Sequence, residues 1–149
     1  MHDFILTYQL LWIPIAVIII TQLIKVALES FQTKSFEWKQ LNGYGGMPSS
    51  HTAFVTSLMM ITGLEEGVES AAFAIAFVFG VIVIRDAVGL RRYLGEQGEM
   101  VNEIVDQLHS KKLNRLPELR ETLGHTYAQG FVGMICGILL TLLLRLAIL

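Results

Sequence analysis

The chain has few of the cysteines and charged residues that secreted and soluble proteins of its length contain. Cys136 is its one cysteine and lies in an apolar run, which excludes a disulfide framework and a cysteine-ligated metal site. Charged residues make up only 16% of 149 residues, hydrophobic residues make up 53%, and the mean hydropathy is +0.56. No Lys or Arg precedes the first apolar stretch, so this stretch is a poor signal peptide and a better membrane anchor. Together these features exclude an ordinary soluble domain and indicate an integral membrane protein.

The hydrophobic residues form four stretches, which we predict to be helices of a single all-α membrane domain covering residues 1–149. The predicted helices cover residues 10–28, 49–63, 71–90 and 126–149. A helix needs about 20 apolar residues to cross the hydrocarbon core, so the second stretch, about 22 Å long, is too short to cross fully. We therefore expect the turn before it to lie below the headgroups, where irregular backbone is tolerated only beside a cavity.

A polar segment, residues 91–123, separates the last two apolar stretches. It contains apolar residues at the i, i+3, i+4, i+7 spacing of an amphipathic helix, namely Val101, Ile104, Val105 and Leu108. Pro117 and Gly124 then mark a break and a restart. We expect this segment to rest on the membrane surface or against the bundle.

Basic residues cluster after the first and third predicted helices, and four spans place these two loops on one side. The basic residues are Lys34, Lys39, Arg91, Arg92, Lys111, Lys112, Arg115 and Arg120. The opposite side has an acidic link with Glu65, Glu66 and Glu69, and Arg145. The positive-inside rule therefore puts the basic loops on the cytoplasmic side and both termini on the opposite side. We expect the membrane to be the inner or plasma membrane of the cell.

Two histidines begin apolar helices on the basic side. His51 follows the turn Gly45-Gly46-Met47-Pro48-Ser49-Ser50, and His125 follows Gly124. A helix start offers free N–H donors and a partial positive charge, so it is a ready anion site. One histidine can attack phosphorus and a second can protonate the leaving oxygen. The pair predicts phosphate chemistry in one shared cavity.

Further ionisable residues lie near the same membrane level. Arg85 and Asp86 are close to the end of the third predicted helix, and Lys25 is near the end of the first. Ionisable residues within spans are costly and usually face the bundle interior or a wet cavity. We therefore include them in the candidate site.

These residues resemble a known family. Pro48-Ser49-Ser50-His51 resembles the Pro-Ser-Gly-His motif of the type 2 phosphatidic acid phosphatase superfamily, which also contains vanadium-dependent haloperoxidases. Gly124-His125, with Gly133 eight residues beyond the histidine, is similar to the third motif of that superfamily. The runs at 85–92 and 95–97, Arg-Asp-Ala-Val-Gly-Leu-Arg-Arg and Gly-Glu-Gln, resemble its small divergent branch related to acid phosphatases and haloperoxidases.

The resemblance implies a membrane phosphatase that hydrolyses a lipid phosphate or diphosphate ester through a phosphohistidine, without a metal or other cofactor. It implies that His125 is the nucleophile and His51 the general acid. Ser49, Ser50 and the helix start at Gly124 would hold the phosphate. The expected partners are a lipid phosphate, the bilayer and a second copy of the chain; a nucleic acid is not expected.

The chain departs from the superfamily pattern at two motifs. The first motif of the superfamily, a Lys followed after six residues by Arg-Pro, is absent. Gln129 stands at the position after the nucleophile where the superfamily has an Asp. A neutral Gln can orient an imidazole but stabilises its charge poorly. We predict that Asp86 supplies the missing carboxylate, and that the lost cations are replaced from Lys25, Arg85 and Arg91.

Simpler interpretations of the same residues stay open. Pro48-Ser49 is also ordinary capping chemistry for a helix start, and the histidines can be interfacial cap residues. Glycines and alanines at helical spacing are most simply close helix packing: Gly130, Gly133 and Gly137 in one stretch, and Ala72, Ala76 and Gly80 in another. A non-catalytic protein that binds a lipid phosphate or anion, and a small transporter, are the alternatives to an enzyme.

We predict that both termini lie outside the cytoplasm, because the Lys and Arg residues concentrate in two loops that four spans place together. Reporter domains fused to each terminus, one type active only inside the cell and one only outside, measure this orientation. Terminal fusions that are active only in the cytoplasm would reverse it.

Overall fold

A computed structural model describes residues 6–34, 46–107, 119 and 126–148, apart from the side chains of residues 90–92. Five α-helical segments make up most of it: α1 Gln9–Thr33, α2 Ser50–Glu66, α3 Ala71–Arg85, α4 Arg91–Gln107 and α5 Tyr127–Leu146. A π-helical turn, Asp86–Leu90, joins α3 to α4 without a break. The described residues therefore form four continuous helices and no strand, which confirms the all-α prediction.

The helix ends differ from the predicted ones where polar residues continue a helix. α1 runs past residue 28 to Thr33 and ends at Lys34 in a left-handed conformation, φ 53°. α2 extends beyond residue 63 to Glu66, and Gly67, with φ 84°, ends it. α5 begins at Tyr127 and ends at Leu146, inside the predicted 126–149.

The prediction that the third helix ends at residue 90 is wrong. The helix continues through the π turn into α4, so residues 71–107 are one helix of 37 residues. Arg, Glu and Gln are good helix formers, so the change from apolar to polar residues near position 91 marks a change of surroundings and not a helix end. The part of the amphipathic segment that the structure describes as a helix, residues 91–107, directly continues the third helix.

Three of these helices are long and apolar enough to cross a membrane: α1, the continuous 71–107 helix, and α5. Their outward faces carry large exposed apolar side chains, which lipid can cover. Examples are Leu11 and Leu23 on α1, Ile75 on α3, and Phe131 and Leu143 on α5. α2 has 17 residues, about 26 Å, and is the shortest of the four.

α2 is the central helix, since it contacts α1, α3 and α5. Ile13 and Val17 of α1 pack with its apolar residues Ala53 and Ile61 in the core. Its other buried residues are mostly hydroxyl-bearing: Ser50, Thr52, Thr56, Ser57 and Thr62. Interhelical hydrogen bonds from such residues hold membrane helices together.

Small residues allow α2 and α5 to approach closely. A Cβ atom at Gly133 would lie 2.5 Å from the carbonyl oxygen of Ser49, and one at Gly137 would lie 2.6 Å from that of Ala53. One turn further, the Thr141 hydroxyl donates to Ser57 Oγ at 2.7 Å. The interpretation of these glycines as close helix packing is confirmed.

The prediction that Ala72, Ala76 and Gly80 form a closely packed stripe on the third helix is confirmed for two of the three residues. Ala76 and Gly80 are buried, and a Cβ at Gly80 would clash with the Met59 side chain of α2. Ala72 is exposed. The stripe therefore packs against α2 from position 76 onward.

The helices α2 and α5 are parallel. This follows from the order of their contacts, since positions 49, 53 and 57 meet positions 133, 137 and 141 in that order. At the other end of the two helices, Arg145 Nε donates to Glu65 Oε1 at 2.7 Å. Both helices therefore begin at one face of the bundle. We name it the helix-start face, defined by the N-cap residues Ser49 and Thr126.

We predict that Gly137→Ala lowers the free energy of unfolding by about 1–3 kcal/mol, because the new methyl group meets the α2 backbone, which cannot move aside. Gly89→Ala is the matched control, because a Cβ at Gly89 has nothing within 4 Å. It should leave the stability unchanged or raise it by up to about 1 kcal/mol. Unfolding of the purified protein in mixed micelles of dodecylmaltoside and SDS measures both. Equal losses in the two variants would contradict the close-approach explanation.

Candidate functional site: two adjoining helix starts

α2 begins at a capping residue that is fully buried. Ser49 has an extended conformation, and its Oγ accepts a hydrogen bond from the Thr52 backbone N–H at 3.4 Å and lies 3.0 Å from Thr52 Oγ1. The interpretation of Pro48-Ser49 as a capped helix start is confirmed. The role of Ser49 as a phosphate ligand stays a prediction, and its hydroxyl is engaged in the cap.

The turn before this cap rests on α1. Gly46 has φ 79°, and a Cβ there would clash with the Glu29 carboxylate and the Lys25 side chain. Lys25 is only 3% exposed. A glycine is required at position 46 both for the backbone conformation and for space. Lys25 therefore lies beneath the turn that leads into α2.

α5 begins with a capping box. The Thr126 hydroxyl accepts from Gln129 N at 3.3 Å, and Gln129 Oε1 accepts from Thr126 N at 2.9 Å. Sequence reasoning missed this role of Gln129, although Thr-x-x-Gln before an apolar run is the signature of such a box. His125 and Gly124 lie outside the described residues, so a contact between Gln129 and His125 stays a prediction.

The two helix starts touch. The Ser49 backbone N–H donates to the carbonyl oxygen of Gln129 at 3.3 Å. Gly133, one turn further along α5, also packs against Ser49. Each helix N-terminus carries a partial positive charge of about half a unit. Because α2 and α5 are parallel, these two positive ends lie side by side. An anion at this level would be stabilised by both.

The π turn is packed against the first turn of α5. Val88 and Ala87 are buried, and a Cβ at Gly130 would lie 3.1 Å from Val88 Cγ2. Asp86 begins this turn and is half-buried, whereas Arg85 is exposed. π turns inside α-helices occur frequently at functional sites. The structure thus brings the Asp86–Leu90 turn to the helix-start face; the Arg91 side chain lies outside the described part.

Two neighbouring residues at the start of α2 differ in access. Ser50 is 7% exposed. His51 is exposed. Successive residues on a helix point about 100° apart, which accounts for the difference. His51 is therefore open to a molecule arriving at this face.

The described residues, with parallel helix starts at one face of a bundle whose outer surfaces are apolar, are those of an all-helical membrane protein. A family model described as the Divergent PAP2 family matches residues 6–140. The chain belongs to this family, which confirms the resemblance to a divergent branch of the phosphatase superfamily.

The chain is similar to a bacterial membrane protein over most of its length. This relative is the uncharacterized membrane protein YuiD of Bacillus subtilis (strain 168), which is 38% identical over 141 residues. The alignment covers 87% of this chain and 89% of the relative. No solved structure matches the chain. The chain is thus a phosphatase-related membrane protein.

We predict that Ser49→Ala lowers the free energy of unfolding by about 1 kcal/mol, because the Thr52 N–H loses its cap. Ser50→Ala is the matched control, since the Ser50 hydroxyl caps nothing in the described residues, and we expect it to change stability little. Unfolding in mixed micelles measures both variants. A loss in Ser50→Ala as large as that in Ser49→Ala would contradict the assignment of the cap.

Proposed function

We propose that the protein is a membrane phosphatase that hydrolyses a phosphate or diphosphate ester of a membrane lipid at the helix-start face. The observation that carries the proposal is the contact between the two helix starts, made by Ser49 N–H and the Gln129 carbonyl. Two parallel positive helix ends at one point favour a doubly charged phosphate group over a neutral ligand. Membership of the Divergent PAP2 family supports the same chemistry.

In the proposed reaction, an imidazole nitrogen of His125 attacks phosphorus as the bond to the leaving oxygen breaks. His51 donates a proton to that oxygen, so the product leaves as an alcohol or, from a diphosphate, as a monophosphate. Water then attacks the phosphohistidine and gives a proton to His51, which releases inorganic phosphate and restores both histidines. His51 suits the first proton transfer because it is exposed at the start of α2, where a substrate arrives.

The phosphate oxygens need donors and positive charge during this transfer. Free backbone N–H groups at the start of α2 and at the proposed start near Gly124 would supply donors. Ser50, which is 7% exposed and lies beside this helix start, would add a hydroxyl donor. Lys25 beneath the Gly46 turn, with Arg85 and Arg91, would supply positive charge, and Asp86 would stabilise the imidazolium form of His125.

The substrate would enter from the lipid, and by the positive-inside rule the site faces the cytoplasm. A lipid phosphate in the inner leaflet then presents its headgroup at the level of the helix starts. The exposed apolar faces of α1 and α5 provide the surface along which its chains can lie.

One observation favours a second candidate, a protein that binds a lipid phosphate without turnover. Gln129 takes the place of the expected Asp, and its side-chain oxygen is engaged with the Thr126 N–H in the capping box. A residue engaged in this way contributes little negative charge to a histidine at position 125. Binding at two helix starts does not need that charge, whereas a phosphohistidine does.

We predict that His125→Ala abolishes phosphate release from phosphatidate in detergent micelles, because the nucleophile is removed. His51→Ala should slow phosphatidate hydrolysis by about 10²–10⁴-fold, since its alkoxide is a poor leaving group. It should slow hydrolysis of p-nitrophenyl phosphate less. His109→Ala, which removes a histidine that has no role in the proposed reaction, is the matched control and should match wild type.

The same assays, run with and without a chelator, decide between the two candidates. Wild-type activity that survives in His125→Ala, in preparations free of contaminating phosphatase, would remove the enzyme proposal. Gln129→Asp should keep or raise the activity, because a carboxylate stabilises the imidazolium form. An inert wild type together with an active Gln129→Asp would mean that the protein works by binding.

A further inference from the structure

The helix α4 carries an apolar face that the rest of the protein leaves open. Five of its apolar side chains are between 44% and 65% exposed: Tyr93, Leu94, Met100, Val101 and Ile104. At about 100° per residue, these five lie within about one third of the helix circumference. We name them the α4 apolar face. The main contacts of α4 within the described part of the chain are with the π turn that it continues.

The other two thirds of α4 have a different character. One side faces the protein: Gly95 and Gly98 are buried, and Asn102 binds the backbone of Leu119. Asn102 Nδ2 donates to the Leu119 carbonyl oxygen at 2.9 Å, and the Leu119 N–H donates to Asn102 Oδ1 at 3.0 Å. The remaining side, which we name the acidic side, consists of the exposed residues Glu96, Glu99, Glu103 and Asp106.

Lipid suits the α4 apolar face poorly. Residues 71–90 already supply the about 20 residues that cross a hydrocarbon core, and the helix continues past them into α4. A helix that lies on the membrane surface typically carries Lys and Arg on its polar side, where they attract anionic lipids. Residues 93–107 contain no Lys or Arg. Anionic headgroups would instead repel the carboxylates of the acidic side.

The spacing of the face matches a second helix of the same sequence. Positions 94, 97, 101 and 104 follow one another at intervals of three, four and three residues, which is the a and d spacing of a coiled coil. The positions that flank this seam, 93, 98, 100, 105 and 107, carry no charge. Two identical helices can therefore meet there without like-charge repulsion. A basic partner would be attracted to the acidic side instead.

We propose that the α4 apolar face is the surface through which two copies of the chain pair, as a short parallel coiled coil next to the membrane. Two copies inserted in the same direction present their α4 helices in parallel, as this seam requires. Gln97 would then lie opposite its equivalent, and an amide can both donate to and accept from another amide. A helix of 17 residues is short for a coiled coil, but anchoring both copies in one membrane raises their effective concentration. The pairing does not depend on the proposed phosphatase activity.

Disulfide formation between copies tests the seam. Val101→Cys is made in the full-length protein together with Cys136→Ala, which removes the native cysteine. The protein is placed in phosphatidylcholine and phosphatidylglycerol vesicles at a high lipid-to-protein ratio and oxidised with copper phenanthroline. We expect a covalent dimer on gel electrophoresis, because a disulfide needs Cα atoms within about 7 Å and the seam brings the two positions together. Glu103→Cys, on the acidic side, is the matched control and should remain a single chain.

The mass of the protein in mild detergent tests the same pairing without a covalent bond. Light scattering should give wild type the polypeptide mass of two 16.7 kDa chains. Ile104→Asp should give the mass of one chain, because it places two carboxylates against each other in the seam. Glu103→Ala is the matched control and should keep the mass of two chains.

Three results would overturn the proposal. One is a missing disulfide in Val101→Cys, or equal disulfide formation in Val101→Cys and Glu103→Cys. Another is a wild-type mass of one chain, or a mass of two chains that Ile104→Asp leaves unchanged. The third concerns lipid: a bimane label attached at Val101→Cys and quenched by nitroxide-labelled lipid in the vesicles would show that the membrane surface covers this face.

Discussion

The close approach of α2 and α5 is the constraint on which the rest of the structure depends. At Gly133 and Gly137 the surface of α5 is bare backbone, and the backbone of Ser49 and Ala53 fills that space. This contact sets the parallel direction of the two helices, their register and therefore the common level of their N-termini. A side chain larger than hydrogen at either glycine would meet this backbone and destabilise the contact that places the two helix starts together.

A second feature follows from that contact, namely a polar central helix inside an apolar shell. α2 carries most of the buried hydroxyl groups, and α1, α3 and α5 surround it with apolar outer faces. In lipid there is no water to compete for hydrogen bonds, so buried hydroxyl pairs such as Ser57 with Thr141 contribute to holding the helices together. A short helix can remain in this position because its neighbours, and not its own length, match the bilayer.

The parts of the structure that were predictable are those with a local pattern. Apolar stretches marked all four helices, the Pro-Ser turn marked the start of α2, and glycines four apart marked the contact face of α5. The continuity of the third helix was not predictable in the same way, because the polarity change near position 91 coincides with a chain that still favours a helix. The capping role of Gln129 did have a local signature, Thr-x-x-Gln, but the family pattern drew attention to the missing Asp instead.

The sequence by itself determined that this is an all-helical membrane protein with helix starts at Ser49 and Thr126, because capping, hydropathy and helix propensity act within a few residues of each other. Only the tertiary structure decided that these starts touch through Ser49 and Gln129, that Lys25 lies beneath the Gly46 turn, and that Asn102 binds Leu119. Each of these contacts joins residues on different helices or on opposite sides of a connection. Their geometry depends on how closely the backbones pack, and no pattern along one stretch of chain contains that information.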